Sequence, residues 1–261
     1  MEGADVGKPF AWSFYLFLFI GVFYNMQIIL TMRAPDRLRI PFNYNHQLQS
    51  AIYAKLAEVG ASDFIHNGGY RSAHNYKAFV FGTLNGAHTV ADGHFVFDGD
   101  IKLEIRSPFF EFCDAVQRSA EMKPCMKLFD TALELTEISL QNRHFRDGEV
   151  RFRADSPVCV YRTEPDGSTA YFSPDSPEFT KYLLLNYRNK YAAILGGNAP
   201  ELQIVPLPHH RKIVTRFKNT WVNGWKGNYQ ISGSGQALEF LYNTGLGAKN
   251  SQGFGLLDVM E

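Results

Sequence analysis

Two glycine triplets near the end of the chain, Gly245-Leu246-Gly247 and Gly253-Phe254-Gly255, bracket Ala248-Lys249-Asn250-Ser251-Gln252. Glycine reaches φ > 0 without a Cβ clash and lets another backbone approach closely. Successive backbone N–H groups in such a turn form an anion-binding concavity. Lys249 and Asn250 would set a cation and an amide at its centre, so the chemistry that suits the loop is capture of a phosphate backbone. Its position excludes the common nucleotide folds, because a P-loop or dinucleotide fingerprint follows a strand and opens a long helix. Here a helical stretch precedes the loop. A single triplet would read as a helix C-cap at Gly245 followed by a hairpin-like turn. Two triplets around a Lys-Asn-Ser centre favour the phosphate contact.

A second concentration of chemistry lies just upstream. Between Glu201 and Glu239 there is no acidic residue, while Arg211, Lys212, Arg216, Lys218 and Lys226 fall there with His209 and His210. Trp221, Trp225 and Tyr229 interleave with these cations. Cations along a strand with aromatics between them suit a polyanion whose bases can stack. A solvated strand face over core aromatics explains the same pattern equally well.

Metal chemistry has no visible seat. The chain has no HxxxH or HExxH pattern, its Asp and Glu are not clustered at two-metal spacing, and no GxSxG elbow occurs. No cofactor motif is present. A nuclease built from these residues would have to activate a ribose 2′-OH, protonate the leaving 5′ oxygen and stabilise the charged phosphorane. Groups titrating near neutrality and a fixed cation do that work, so His, Lys and Tyr are the candidates.

The chain that must position these groups has 261 residues, 45% hydrophobic and 20% charged, with zero formal net charge. It can bury a core as one large or two small domains. Cys113, Cys125 and Cys159 are odd in number and form no CxxC pair, which argues against a disulfide framework or zinc knuckle and fits a reducing cytoplasm. Residues 10–24 are almost wholly apolar. They read as a signal-peptide core or marginal membrane anchor, but no small-residue cleavage site follows. The expectation is that translation starts at Met26 or Met32 and that the upstream leader is a gene-start artefact, with a true anchor as the alternative.

From Met26 the hydrophobic pattern predicts an α+β fold. Residues 27–40 are strand-like with an interruption at Pro35-Asp36. Residues 45–58 form an amphipathic helix in which Leu48, Ile52 and Leu56 recur every four residues. Residues 76–84 and 93–106 are β-rich, 109–122 helical, and 126–140 a strand or hairpin. In the second half, residues 150–162, 202–207, 212–217, 228–232 and 254–259 read as strands, with helices over 178–195 and 236–243. The order β-α-β-β-α-β thus occurs twice. The expected architecture is two tandem ferredoxin-like domains, 26–143 and 144–261, with the glycine-rich loop 245–255 in the second.

Several segments resemble the CRISPR-associated endoribonucleases that process repeat RNA, members of the RAMP superfamily. Ile40-Pro41-Phe42-Asn43-Tyr44-Asn45-His46-Gln47-Leu48, running into Ala51-Ile52-Tyr53, resembles their first strand–helix junction. Asp63-Phe64-Ile65-His66-Asn67-Gly68-Gly69-Tyr70 is similar to their His-Gly segment, and Lys77-Ala78-Phe79-Val80-Phe81-Gly82 to the strand after it. Asp155-Ser156-Pro157-Val158 resembles the start of their second domain, and the terminal loop their Gly-apolar-Gly-x5-Gly-apolar-Gly motif. The resemblance implies metal-independent cutting within each repeat of the precursor transcript, leaving a 5′-OH and a 2′,3′-cyclic phosphate. It implies Tyr53, His66 and Lys77 as the catalytic residues. For RNA binding it implies Gly245, Gly247, Lys249, Asn250, Gly253 and Gly255, with the basic segment beside them. His74 rivals His66, and Arg71 could stand in for Lys77. His46, at the helix start, reads as a capping or packing residue. The implied partners are the CRISPR repeat RNA, subunits of an effector complex and, in some members, a second copy of the chain; no DNA is required. A non-catalytic repeat-RNA-binding subunit is the alternative on the same fold.

Overall fold

The computed structural model describes residues 26–61 and 76–260. The apolar leader, His66, Arg71 and His74 lie outside the described residues. Chain order begins with β1 (Met26–Arg33), β2 (Leu38–Pro41) and α1 (Asn45–Glu58). Then come β3 (Val80–Phe81), β4 (His88–Ala91), β5 (His94–Phe97), β6 (Asp100–Ser107), α2 (Phe110–Met122), β7 (Cys125–Leu128) and β8 (Thr131–Gln141). Strands β3-β6-β1-β8-β7 form one antiparallel sheet in that spatial order, and β2-β5-β4 form a small second one. Alternation along β1 and β6 turns Ile28, Leu30, Ile101, Leu103 and Ile105 into the core, as a sheet with one covered face requires. Helix α1 brings Leu48, Ile52 and Leu56 to that core, and α2 brings Phe112 and Val116. The fourfold apolar repeat expected for α1 is what faces the sheet.

After the irregular segment 142–147 come β9 (Gly148–Ala154), β10 (Tyr161–Thr163), β11 (Thr169–Tyr171), α3 (Pro177–Leu195) and β12 (Leu202–Pro206). The chain continues with β13 (Arg211–Phe217), β14 (Thr220–Lys226), β15 (Asn228–Gly233), α4 (Gly235–Thr244), a 3₁₀ turn over Asn250–Gln252, and β16 (Leu257–Val259). Strands β12-β15-β9-β16 form the main antiparallel sheet of this half, and β13-β14 a separate hairpin. A second core gathers Phe152, Phe179, Leu183, Tyr187, Tyr229, Ile231, Leu238 and Leu241. Four strands of each half share one order, β3-β6-β1-β8 in the first, where β7 adds a fifth beyond β8, and β12-β15-β9-β16 in the second; a helix lies between β1 and β3, β6 and β8, β9 and β12, and β15 and β16.

The strand expected over 150–162 breaks in two. Asp155 turns out of the sheet, where its carboxylate accepts hydrogen bonds from Thr83 of the other half, and Pro157 has no N–H to continue a ladder. The final strand is shorter than the expected 254–259: Phe254 packs with Phe217 and Val222 of the hairpin, and Leu256 is buried close to Gly82. Three strands were not expected: β4, whose residues are all exposed, β11, which pairs with β10, and β14, which pairs with the basic β13.

Candidate RNA-binding and cleavage site

All four loop glycines occupy the left-handed region: Gly245 at φ +82°, Gly247 at +73°, Gly253 at +85° and Gly255 at +78°. The close approach they allow is made by the protein's own atoms. A Cβ on Gly247 would lie 2.6 Å from the Cys159 carbonyl oxygen, and one on Gly253 would lie 2.6 Å from Asn45 Nδ2 and 2.7 Å from Phe81. The N–H groups of Leu246, Ala248, Gln252, Gly253 and Gly255 donate to carbonyls of Gly255, Cys159, Lys249, Asn250 and Pro157. The concavity expected for an anion is closed at these positions by the chain itself. Asn250, expected to touch RNA, is buried; its amide donates to the Leu246 and Phe254 carbonyls and ties the two triplets together. Lys249 is partly buried at φ +62°, its ammonium 5.0 Å from the centre of the Tyr161 ring. Lys249, Ser251 and Gln252 form the partly open rim of the loop.

The loop is also the joint between the halves. Asn45 donates to the Gln252 and Gly253 carbonyls, and Gln49 to Ser251, all from the first turns of α1. Nearby, Asn43 Oδ1 accepts from Thr215 Oγ1 at 2.9 Å and from the Arg216 N–H at 2.7 Å, fastening the β13–β14 hairpin to α1. The two asparagines of the Asn-Tyr-Asn segment are therefore seam contacts, while Tyr44 between them is buried in the first core and accepts from the Leu84 N–H. Buried Arg106 closes the seam further along. It donates to the Leu257 and Tyr242 carbonyls, pairs with Glu104 and Asp258, and lays its guanidinium 3.6 Å from the centre of the Tyr242 ring. Neither Arg106 nor Lys190, whose ammonium reaches into the loop, stood out in the sequence. A cation in an ordinary polar setting gives no sign of burial.

Tyr53 lies on α1 with its ring edge-on to Phe79 at 6.0 Å; Phe79 in turn stacks on Phe81 at 6.4 Å, and Phe81 abuts Gly253. Lys77 stands two residues before Phe79 and is half-buried. A continuous row of rings thus connects Tyr53, the segment that runs from Lys77 into β3, and the glycine loop. Burial pushes the Tyr53 hydroxyl up to about 12 and draws the Lys77 ammonium below its ordinary range. Tyr53 is accordingly neutral at cellular pH, a hydrogen-bonding group rather than a base.

Arg211, Lys212, Arg216 and Lys218 are all exposed on the β13–β14 hairpin. Of the interleaved aromatics only Trp221 is on the surface, with the Arg216 guanidinium 6.0 Å from its ring. Trp225 and Tyr229 belong to the second core, so the aromatic interleaving is half stacking surface and half packing. His46 lies on α1 against Phe217, ring centres 5.4 Å apart, which is the packing role expected of it. Among the described residues there is no group of three metal-ligating side chains, and no helix is long and apolar enough to cross a membrane.

Residues 140–259 match the family model described as "CRISPR associated protein Cas6, C-terminal". The match begins at the end of β8 and takes in the whole second half, with the hairpin and the glycine loop. The second half of the chain is thus similar to the C-terminal region of the Cas6 proteins. It is 24% identical over 87% of its length to the "Putative CRISPR-associated endoribonuclease-like protein Cas6" of Pyrococcus furiosus, covering 95% of that protein. It is also 24% identical to the "CRISPR-associated endoribonuclease Cas6 1" of Methanocaldococcus jannaschii, over 91% of this chain and 94% of the relative. A solved structure of a Cas6-related gene product from Pyrococcus furiosus superposes with a TM-score of 0.80 at 22% identity, over 91% of this chain and 99% of the other. A structure described as "An RAMP protein binding different RNA substrates" gives a TM-score of 0.78 at 20% identity, over 90% and 100% of the two chains. At these identities the superpositions establish a shared fold.

Proposed function

We propose that this Cas6-like chain is a metal-independent endoribonuclease that matures CRISPR RNA, cutting the precursor within each repeat. The ribose 2′-OH attacks the adjacent phosphorus, the O2′–P bond forms and the P–O5′ bond breaks. The proton lost by the 2′ oxygen passes to a base, and a general acid supplies one to the leaving 5′ oxygen. The products are a 5′-OH and a 2′,3′-cyclic phosphate. Imidazole is the side chain whose unperturbed pKa lies near 6.5, and in this reading His66 serves that proton transfer. Lys77 supplies positive charge to the phosphorane, and neutral Tyr53 orients the 2′-OH.

The observation that supports this reading best is the row of rings from Tyr53 through Phe79 and Phe81 to Gly253. It sets two of the three candidate groups on the same packed unit as the glycine loop, in a chain whose curated relatives are named endoribonucleases along most of its length. The common strand order of the two halves supports a pair of ferredoxin-like domains divided near 143. The exposed hairpin cations and Lys249 are the RNA contacts in this reading. Repeat RNA incubated with the chain in EDTA tests it: cleavage to cyclic-phosphate ends is expected.

A non-catalytic RNA-binding subunit is the second reading, because one of the similar folds is described only as binding different RNAs. Tight binding with intact RNA would favour it.

A further inference from the structure

Between the N-terminal turn of α1 and the tip of the β13–β14 hairpin lies an open cleft of about 340 Å³, lined by Asn43, His46, Gln47, Arg216, Lys218 and Asn219. That is within the size range of small-ligand sites. Its walls come from opposite halves of the chain, and the Asn43 bonds to Thr215 and the Arg216 N–H hold them together. Two full cations line it and, among the described residues, no carboxylate does. The Arg216 guanidinium reaches Asn219 Oδ1 only at 3.5 Å, so it retains donors for an oxyanion. Lys218 is held at φ +54°, a conformation costly for a residue with a Cβ and frequent at functional turns. On the α1 side, Gln47 Oε1 is buried and, among the described residues, has no hydrogen-bond donor. A buried amide oxygen left unpaired costs free energy until a donor reaches it. Next to it the His46 ring, seated edge-on against Phe217, offers a flat surface.

We propose that this cleft is a specificity subsite that seats one unpaired nucleotide of the RNA. Its phosphate lies on Arg216 and Lys218, its base lies against His46, and its exocyclic amino group donates to Gln47 Oε1. An acceptor at that point admits adenine, cytosine or guanine, each of which carries an amino group, and disfavours uracil, which carries none. The inference rests on the reading of the chain as a repeat-RNA-binding protein. It adds a base-reading element about two turns before Tyr53 on the same helix, beside the backbone contacts proposed for the loop and the hairpin.

The test uses the full chain and labelled repeat RNA in which each unpaired position is replaced in turn by uridine, or by cytidine where uridine is native. With wild-type protein, uridine at one position is expected to weaken binding by about tenfold, the scale of one amide–base contact. Gln47→Leu should abolish that preference while its circular dichroism and melting curve stay native. Arg216→Ala, on an exposed residue, should weaken all the RNAs alike and lower the salt dependence by about 0.7 of an ion, the value for one single-strand phosphate. A Gln47→Leu profile identical to wild type at every position overturns the subsite while leaving the nuclease reading intact. Failure of wild-type chain to bind any repeat RNA overturns both.

Discussion

Lys190 Nζ donates to Asn250 Oδ1 at 3.0 Å, joining the middle of helix α3 to the centre of the glycine loop. The same ammonium also donates to the Thr244 and Gly245 carbonyls at the end of α4. Cations are favourable there because the last carbonyls of a helix lack intrahelical donors. Asn250 then ties one glycine triplet to the other. The loop is shaped from inside the second half, and α1 of the first half docks on its outer rim.

Burial draws the Lys190 ammonium down to about 7, whereas lysine in an unfolded chain titrates near 10.4. Between those values the unfolded state binds more protons than the folded state. This group therefore makes stability rise with pH from about 7 to about 10, by at most ~1.4 kcal/mol per pH unit. The buried thiols of Cys113 and Cys159, pushed up to about 12, act in the opposite sense above pH 8.5. The difference between wild type and Lys190→Met isolates the lysine. Urea unfolding at several pH values should show the wild-type curve rising relative to the variant; parallel curves would assign the titration elsewhere.

Gly253→Val is expected to cost about 2–6 kcal/mol. A β-branched residue at φ > 0 costs about 1–3, and forcing its Cβ between Asn45 and Phe81 adds about 1–3 for overpacking. Because the glycine faces the protein, loss of RNA affinity should accompany loss of stability. Native melting with weakened RNA binding alone would instead place the RNA against this glycine.

How far the sequence discloses this arrangement depends on the range of the interactions involved. Helix α1 was legible because Leu48, Ile52 and Leu56 repeat within one element. Strand β14 was not. Its buried positions are Val222, Gly224 and Trp225, and Gly224 is required where a Cβ would meet Pro157 at 2.8 Å, a contact set by a segment far away in the chain. The glycine motif declared its left-handed backbone but not which atoms come close to it. Asn250 looked like a ligand because an amide flanked by Lys and Ser gives no local sign of a buried lysine sixty positions away in the chain. The hairpin cations were legible as a block, whereas the cleft needs the hairpin tip and α1 together, and no spacing in the sequence records that.

Arg106 makes a separate prediction for the seam. It is 1% exposed, and its donors satisfy carbonyls of Leu257 and Tyr242. Arg106→Met leaves Glu104 without its closest counter-charge in a largely desolvated place and should destabilise the chain by about 3–5 kcal/mol. Arg106→Lys should recover little, since an ammonium cannot reach those acceptors in the same fork or lie flat on Tyr242. Chemical denaturation of the three proteins checks this; full rescue by lysine would reduce the interaction to charge alone.

Tyr53 decides how the proposed cleavage should depend on pH. With its hydroxyl pushed up to about 12 by burial, it stays neutral throughout the working range and cannot set the pH midpoint of the reaction. Proton transfer then falls to an imidazole, and a histidine with an ordinary pKa places the midpoint of the rate profile near 6.5. Tyr53→Phe should lower the single-turnover rate without moving that midpoint. His66→Ala should lower the rate by about two to four orders of magnitude while sparing affinity. A 2′-deoxyribose just upstream of the cut should leave binding intact and stop cleavage. If His66→Ala loses less than tenfold, the proton belongs to His74. Cleavage of the deoxy substrate would remove the internal nucleophile altogether. A midpoint that shifts in Tyr53→Phe would mean that the phenol titrates in the reaction despite its burial, which its packing against Phe79 argues against.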